Sequence, residues 1–202
     1  MTTAYRPVPG RVATPADIDV MVDTMTTAFF HDPLWGPAFP DAAQRAMQAG
    51  AMWRLFVTSA LRYPWTFVTQ NVEATAVWIP PSGIELTPEE GGDLENLLVQ
   101  VAGSEVAKAI LKIYDQLEAA LPSEPCFYLT LLGTHARHRG KGLGMGLLAE
   151  SLTRIDTLGA PAYLESSNPA NITRYESVGF TARDEITMDT GHVVTTMWRP
   201  AR

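Results

Sequence analysis

A single cysteine, Cys126, among 202 residues excludes an internal disulfide and a cysteine-rich metal site, and it suits a reducing compartment such as the cytoplasm. The four histidines are scattered without paired spacing, so no metal centre is expected. No apolar run is long enough to span a bilayer, and the opening Met-Thr-Thr-Ala-Tyr-Arg has no apolar signal core. Basic residues are scarce as well. Lys and Arg total 15 against 22 Asp and Glu, a net charge of -7, and only one short loop is basic, which argues against nucleic-acid binding. An acidic surface suits a cationic, amine-bearing substrate. With 46% hydrophobic and 18% charged residues the chain is globular, and its length fits one α/β domain, 1–202, with a sizeable core.

Glycine, by contrast, is concentrated. Residues 137–146, Arg-His-Arg-Gly-Lys-Gly-Leu-Gly-Met-Gly, place glycines at 140, 142, 144 and 146 among Arg137, Arg139 and Lys141. The apolar run Cys126-Phe-Tyr-Leu-Thr-Leu-Leu132 precedes them and reads as a strand, while a helical pattern follows over 143–158. A strand–glycine loop–helix unit offers unpaired N–H groups and the positive end of a helix to an anion. Glycines also let the backbone approach a phosphate closely, so a phosphorylated cofactor is expected here.

Spacing decides which one. A phosphate loop of the Walker type needs Ser or Thr after its lysine, but Gly142 follows Lys141. A dinucleotide fingerprint started at Gly140 or Gly142 places Met145 or Leu147 where its third glycine belongs. Glu165, about 20 residues on, stands where a ribose-binding acid would, yet too little chain follows it for a second mononucleotide half. The pattern that fits is Arg139-x-x-Gly142-x-Gly144, which resembles the coenzyme A pyrophosphate loop of the GNAT family of N-acetyltransferases. Pro161–Ser166 resembles that family's fifth strand, and Asn168, Asn171 and Tyr175 before Gly179-Phe180 resemble its second signature. Within the family, residues 124–180 look most like puromycin N-acetyltransferase and its relatives; the N-terminal half is similar only loosely.

The resemblance implies a GNAT-like mixed, largely antiparallel sheet, with splayed fourth and fifth strands and flanking helices, and an acetyl-CoA-binding core over 125–180. It implies acetyl transfer from acetyl-CoA directly to the primary amine of a small molecule, an aminonucleoside or other antibiotic among them. Cofactor contacts fall on Leu131, Leu132, Arg137, Arg139, Gly140, Lys141, Gly142, Leu143, Gly144, Asn168, Asn171 and Tyr175, with the backbone at 131–132 facing the pantetheine arm. Tyr175 is the candidate general acid for the leaving thiolate. Glu165, on one strand face with Tyr163, is the candidate base for the amine. Plain packing for Tyr175, an N-cap for Asn168 and an ion pair for Glu165 are the competing structural readings. Cys126, in a strand and without a nearby histidine, reads as core rather than as an acyl-carrying nucleophile. A non-catalytic acyl-CoA sensor and an enzyme acting on protein N-termini or lysines remain alternatives, and the oligomeric state is open, a homodimer included.

Before this core, Thr14-Pro-Ala-Asp17 and Thr87-Pro-Glu-Glu90 read as helix starts. Helices are expected over about 18–29, 42–61, 87–102 and 104–120, with residues 30–40 a Pro- and aromatic-rich loop. Residues 65–69 and 73–79 alternate as a hairpin, and 181–188 with 192–198 as a closing one. The insertion 84–121 is expected either to wall the acceptor site or merely to cover the sheet. Trp35, Phe39, Trp53, Phe56 and Tyr63 offer aromatic surface for the acceptor or for the core, and His31, Asp32 and Glu124 are weaker candidates for contact with it.

Overall fold

The computed structural model describes residues 5–202; residues 1–4 of the expected domain lie outside the described residues. Strand β1 (Arg11–Val12) leads to a single 3-10 turn and helix α1 (Ile18–Phe29). The Asp17 carboxylate accepts the Thr14 N–H at 2.8 Å and pairs with Arg11 at 2.6 Å, fixing this entry. A four-residue helix, α2 (Trp35–Ala38), stands where a plain loop was expected, because the Asp32 carboxylate accepts the N–H groups of Leu34 and Trp35 at 2.9 and 3.1 Å. Helix α3 (Arg45–Ala60), strands β2 (Thr66–Val68) and β3 (Ala74–Ile79), and helices α4 (Pro88–Ala102) and α5 (Ser104–Ala119) follow as the pattern implied. At the start of α4, Thr87 Oγ1 accepts the Glu90 N–H while Glu90 accepts that of Thr87, a reciprocal cap.

The second half comprises β4 (Phe127–Thr134), α6 (Leu143–Asp156), β5 (Ala162–Ser166), the short α7 (Ile172–Glu176), β6 (Thr181–Thr187) and β7 (Val193–Arg199). They complete a seven-stranded sheet of order β1-β2-β3-β4-β5-β7-β6, in which only β4 and β5 run parallel. A parallel pair needs a long crossover, and α6 supplies it. Leu147, Leu148, Leu152 and Ile155 of α6 pack on one sheet face, where Trp78 Nε1 donates to Ser151 Oγ at 3.0 Å. On the other face α1, α3, α4 and α5 enclose a second core around Trp53, Met25 and Leu98.

One irregularity opens the sheet. Val77 faces Leu131 across the β3–β4 ladder and Trp78 faces Leu129, so Thr130 is an extra residue in β4. The bulge reverses the alternation: Phe127 and Leu129 pack toward α6, whereas Leu131 packs toward α1 and α3. Pairing of β4 with β5 ends at Leu129–Leu164, beyond which β5 pairs only with β7. The strands part there.

Arg199 anchors the other, paired end of β5, opposite Ala162. It is 2% exposed, pairs with Asp156 through two hydrogen bonds of 2.6 and 2.8 Å, and donates to the Val178 carbonyl at the end of α7. Arg199→Ala should therefore lower stability by about 1–3 kcal/mol in urea titration, through its lost hydrogen bonds and packing.

Candidate active site

The glycine loop forms one wall of a cleft of about 560 Å³. Gly142 adopts φ +73°, a left-handed conformation that a side chain would strain, and it launches α6 without a side-chain cap. A Cβ at Gly144 would meet Thr134 Oγ1 at 2.5 Å, so glycine lets α6 lie close against β4. The backbone N–H groups of residues 140–145 have no acceptor among the described residues, since the first bond of α6 runs from Gly146 to the Gly142 carbonyl. Of these residues, 140 and 142–145 line the cleft, at the positive end of the helix dipole. Leu132 and Tyr175 line its far end.

A second cavity, of about 230 Å³, opens where β4 and β5 part. It meets the cleft at Phe29, Asp32, Leu132, Asn171 and Tyr175, which line both. Trp35, Trp53 and Phe56 form one side, and Ile84, Glu85, Tyr114 and Leu117 from the segment 84–121 form another. Helix α5 walls the cavity, while α4 packs on α3 rather than on the sheet.

Four carboxyl groups line this space, and burial shifts two of them. Glu165 lines the cavity from β5, and its Oε1 is buried without a hydrogen-bond partner. Burial pushes its carboxyl up to about 8, helped by the charge of Glu85 and opposed by the neighbouring Tyr128 and Tyr163 hydroxyls. Glu85 is likewise pushed up to about 7 by burial, against hydrogen bonds from Thr130 and Tyr114. Burial, reinforced by Asp32, holds the Tyr175 phenol at about 12, so it keeps its proton.

The sequence profile of the acetyltransferase (GNAT) family matches residues 65–180, more than half of the chain. The chain belongs to the GNAT family. Among solved structures it is similar to the histone acetyltransferase HPA2 and related acetyltransferase of Corynebacterium glutamicum, with 23% identity, a TM-score of 0.69 and 98% and 97% of the two chains covered. It is similar to arylalkylamine N-acetyltransferase 2 of Aedes aegypti at 14% identity, a TM-score of 0.61 and coverage of 96% and 99%. The polyamine N-acetyltransferase of Drosophila melanogaster, which forms N-acetylagmatine, gives 17%, 0.61, 95% and 99%. These likenesses establish a shared GNAT fold, and family membership makes the chain an acetyl-CoA-dependent acetyltransferase.

The residues present fit that GNAT donor. Free amides suit a pyrophosphate, and the unpaired edge of β4 beyond Leu129 suits an arm of two amides laid beside it. Of the residues expected to contact it, Arg139, Gly140, Gly142, Leu143, Gly144, Asn168, Asn171, Leu132 and Tyr175 line the cleft. Leu131 keeps its side chain in the core and offers only backbone. Arg137 and Lys141 are exposed and do not line it. Arg139 lines it, but its guanidinium donates to the carbonyls of Thr27 and Ala28 at 3.0 and 2.8 Å, closing the end of α1. Asn168 accepts the Ala170 N–H at 3.0 Å, the capping role weighed for it, while still facing the cleft. His31 lines the cleft and not the acceptor cavity; Phe39 is core, and Tyr63 bonds the Ile84 backbone. Glu124 sits at a further opening, described below. Cys126 is half-buried, its thiol pushed up to about 11 by burial and Glu124, which leaves it a poor nucleophile.

Sequence reasoning missed Glu85, Thr130 and Tyr128. Only the position of Glu85 inside the insertion hinted at a role.

The raised Glu165 carboxyl sets a sign for stability. It gains its charge above about pH 4.5 when unfolded but only near 8 when folded, so its contribution is lost as pH rises through that window. Glu165→Gln lacks this loss. Its melting temperature relative to the parent should rise by at least about 2 °C between pH 5 and pH 9 in scanning calorimetry.

Proposed function

We propose that the chain acetylates the primary amine of a small molecule held in the aromatic cavity, by direct transfer across the junction with the cleft. The carrying observation is that junction: Tyr175 lines both spaces, and Glu165, whose Oε1 has no hydrogen-bond partner, lines the inner one. Acetyl-CoA supplies an acetyl group already activated as a thioester. The amides of residues 140–145 grip its pyrophosphate, and the β5-facing backbone of Leu131 and Leu132 orients the arm and polarises the carbonyl. Glu165 accepts a proton from the acceptor's ammonium, which frees the nitrogen lone pair for attack. The nitrogen bonds to the thioester carbon, the C–S bond breaks as Tyr175 donates its hydroxyl proton to the departing sulfur, and the second proton shed by the nitrogen restores the phenol.

The exposed side chains of Arg137 and Lys141 contribute only screened attraction, about 0–1 kcal/mol each. We read residues 1–202 as one domain, with 125–180 as the donor-binding core. An aminonucleoside antibiotic is the acceptor that the likeness to puromycin N-acetyltransferase brings forward, and the walls formed by Trp35, Trp53 and Phe56 support a flat ring. The arylalkylamine and polyamine enzymes of the same fold act on other small amines. Screening aminonucleosides, aminoglycosides, polyamines, arylalkylamines and peptides for thiol release from acetyl-CoA tests the reading; release with peptides alone would overturn it.

Two substitutions test the roles. Gly142→Asp should weaken acetyl-CoA binding at least tenfold in calorimetry, because strain and a negative charge both meet the pyrophosphate; unchanged affinity would refute the loop's role. Tyr175→Phe should lower kcat by about 10²–10⁴-fold while donor affinity stays within twofold. In the parent enzyme kcat/KM should climb with pH toward about 8 as Glu165 ionises, and Glu165→Gln should abolish that rise.

A further inference from the structure

The acceptor cavity holds more acid than the proposed reaction uses. Asp32, Glu85, Glu118 and Glu165 line it, and no Lys, Arg or His does. A third cavity, of about 260 Å³ between residues 79–85 and 121–128, joins it at Glu85 and Tyr128, adds Glu124 and also lacks a basic side chain. Glu118 and Glu124 are exposed to solvent, and two more of these acids are accounted for. Asp32 accepts three hydrogen bonds, from the Leu34 and Trp35 amides and from Ser167 Oγ, and Glu165 takes the amine's proton.

Glu85 is not accounted for. It belongs to no ion pair among the described residues. Its carboxyl is held instead by the hydroxyl of Thr130, the bulge residue of β4, beside the ring of Tyr114. It stands at the end of the acceptor cavity that opens to the third one, away from the cleft. A desolvated carboxylate fixed in place without a counter-ion is costly, and a cation brought by the ligand removes that cost. The aromatic rings of Trp53, Phe56 and Tyr114 cover the span between and favour methylene groups and cations alike.

We propose that the acceptor carries a second cationic group, and that Glu85 is the specificity residue that pairs with it while the first amine is acetylated beside Glu165. The substrate class this selects is the aliphatic α,ω-diamine, in place of the aminonucleoside. This rests on the amine-acetylation reading above and sharpens it.

The test compares 1,4-diaminobutane and 1,5-diaminopentane with butylamine and pentylamine, by thiol release from acetyl-CoA, in the parent enzyme and in Glu85→Gln. The better diamine should exceed its matched monoamine at least about tenfold in kcat/KM, chiefly through KM, as a charge-assisted pair provides. Glu85→Gln should bring the ratio to about one, and Glu85→Asp should restore part of it. A ratio near one in the parent enzyme, or a ratio that survives Glu85→Gln, overturns the proposal. Should Glu85→Gln fail to fold, Thr130→Val, which removes the donor that holds Glu85, must lower the ratio, and an unchanged ratio is refuting. Equal use of both amine types sinks the diamine alone. No thiol release with any amine, while acetyl-CoA binds in calorimetry, sinks both readings.

Discussion

The parting of β4 from β5 is the constraint on which the rest of the site depends. Continued pairing beyond Leu129 would satisfy the backbone of both strands and leave no room between them. The extra residue, Thr130, prevents this by turning the strand and exchanging the faces to which its side chains point. Unpaired backbone inside a protein is costly, so the bent strand must be held elsewhere. Met25 of α1 packs over Gly133 on one side, and Gly144 brings α6 against Thr134 on the other. The glycine loop is thereby placed at the mouth of the gap, and Tyr175 at its inner end.

Local chemistry was readable wherever it rests on neighbouring residues. The caps at Thr14 and Thr87, the helices of the insertion and the closing hairpin follow from short patterns, and the structure has them within a few residues. The glycine loop was readable because its donors are main chain and depend on conformation alone. What escaped depends on distant partners. The bulge at Thr130 arises from pairing with Val77 and Trp78, some 50 residues earlier, and nothing in Leu-Thr-Leu marks it. Arg139 reads as a phosphate ligand until its acceptors, 112 and 111 residues away, are known. Glu85 lies in a stretch with no periodicity, so its direction is set only by Thr130 and Tyr114. The short α2 depends on a single side chain, Asp32, within a segment whose prolines argue for loop.

Charge is treated in two ways in this molecule. Outside the site, half-buried carboxylates are matched: Asp156 with Arg199, Glu90 with Arg62, Asp17 with Arg11. Asp17 and Asp156 are accordingly held below the usual carboxylate range, first by hydrogen bonds from their arginines. Glu85 and Glu165 have no such match, and burial shifts them the opposite way. The proposed roles of Glu85 and Glu165 toward an incoming ligand rest on this contrast.

The third cavity has a kinetic consequence. It shares Glu85 and Tyr128 with the acceptor space of the proposed reaction and no lining residue with the donor cleft, so on that reading each reactant has its own approach. Neither must vacate for the other to arrive. On that reading the layout favours a ternary complex reached in either order, with acetylated product free to leave while spent coenzyme is still seated.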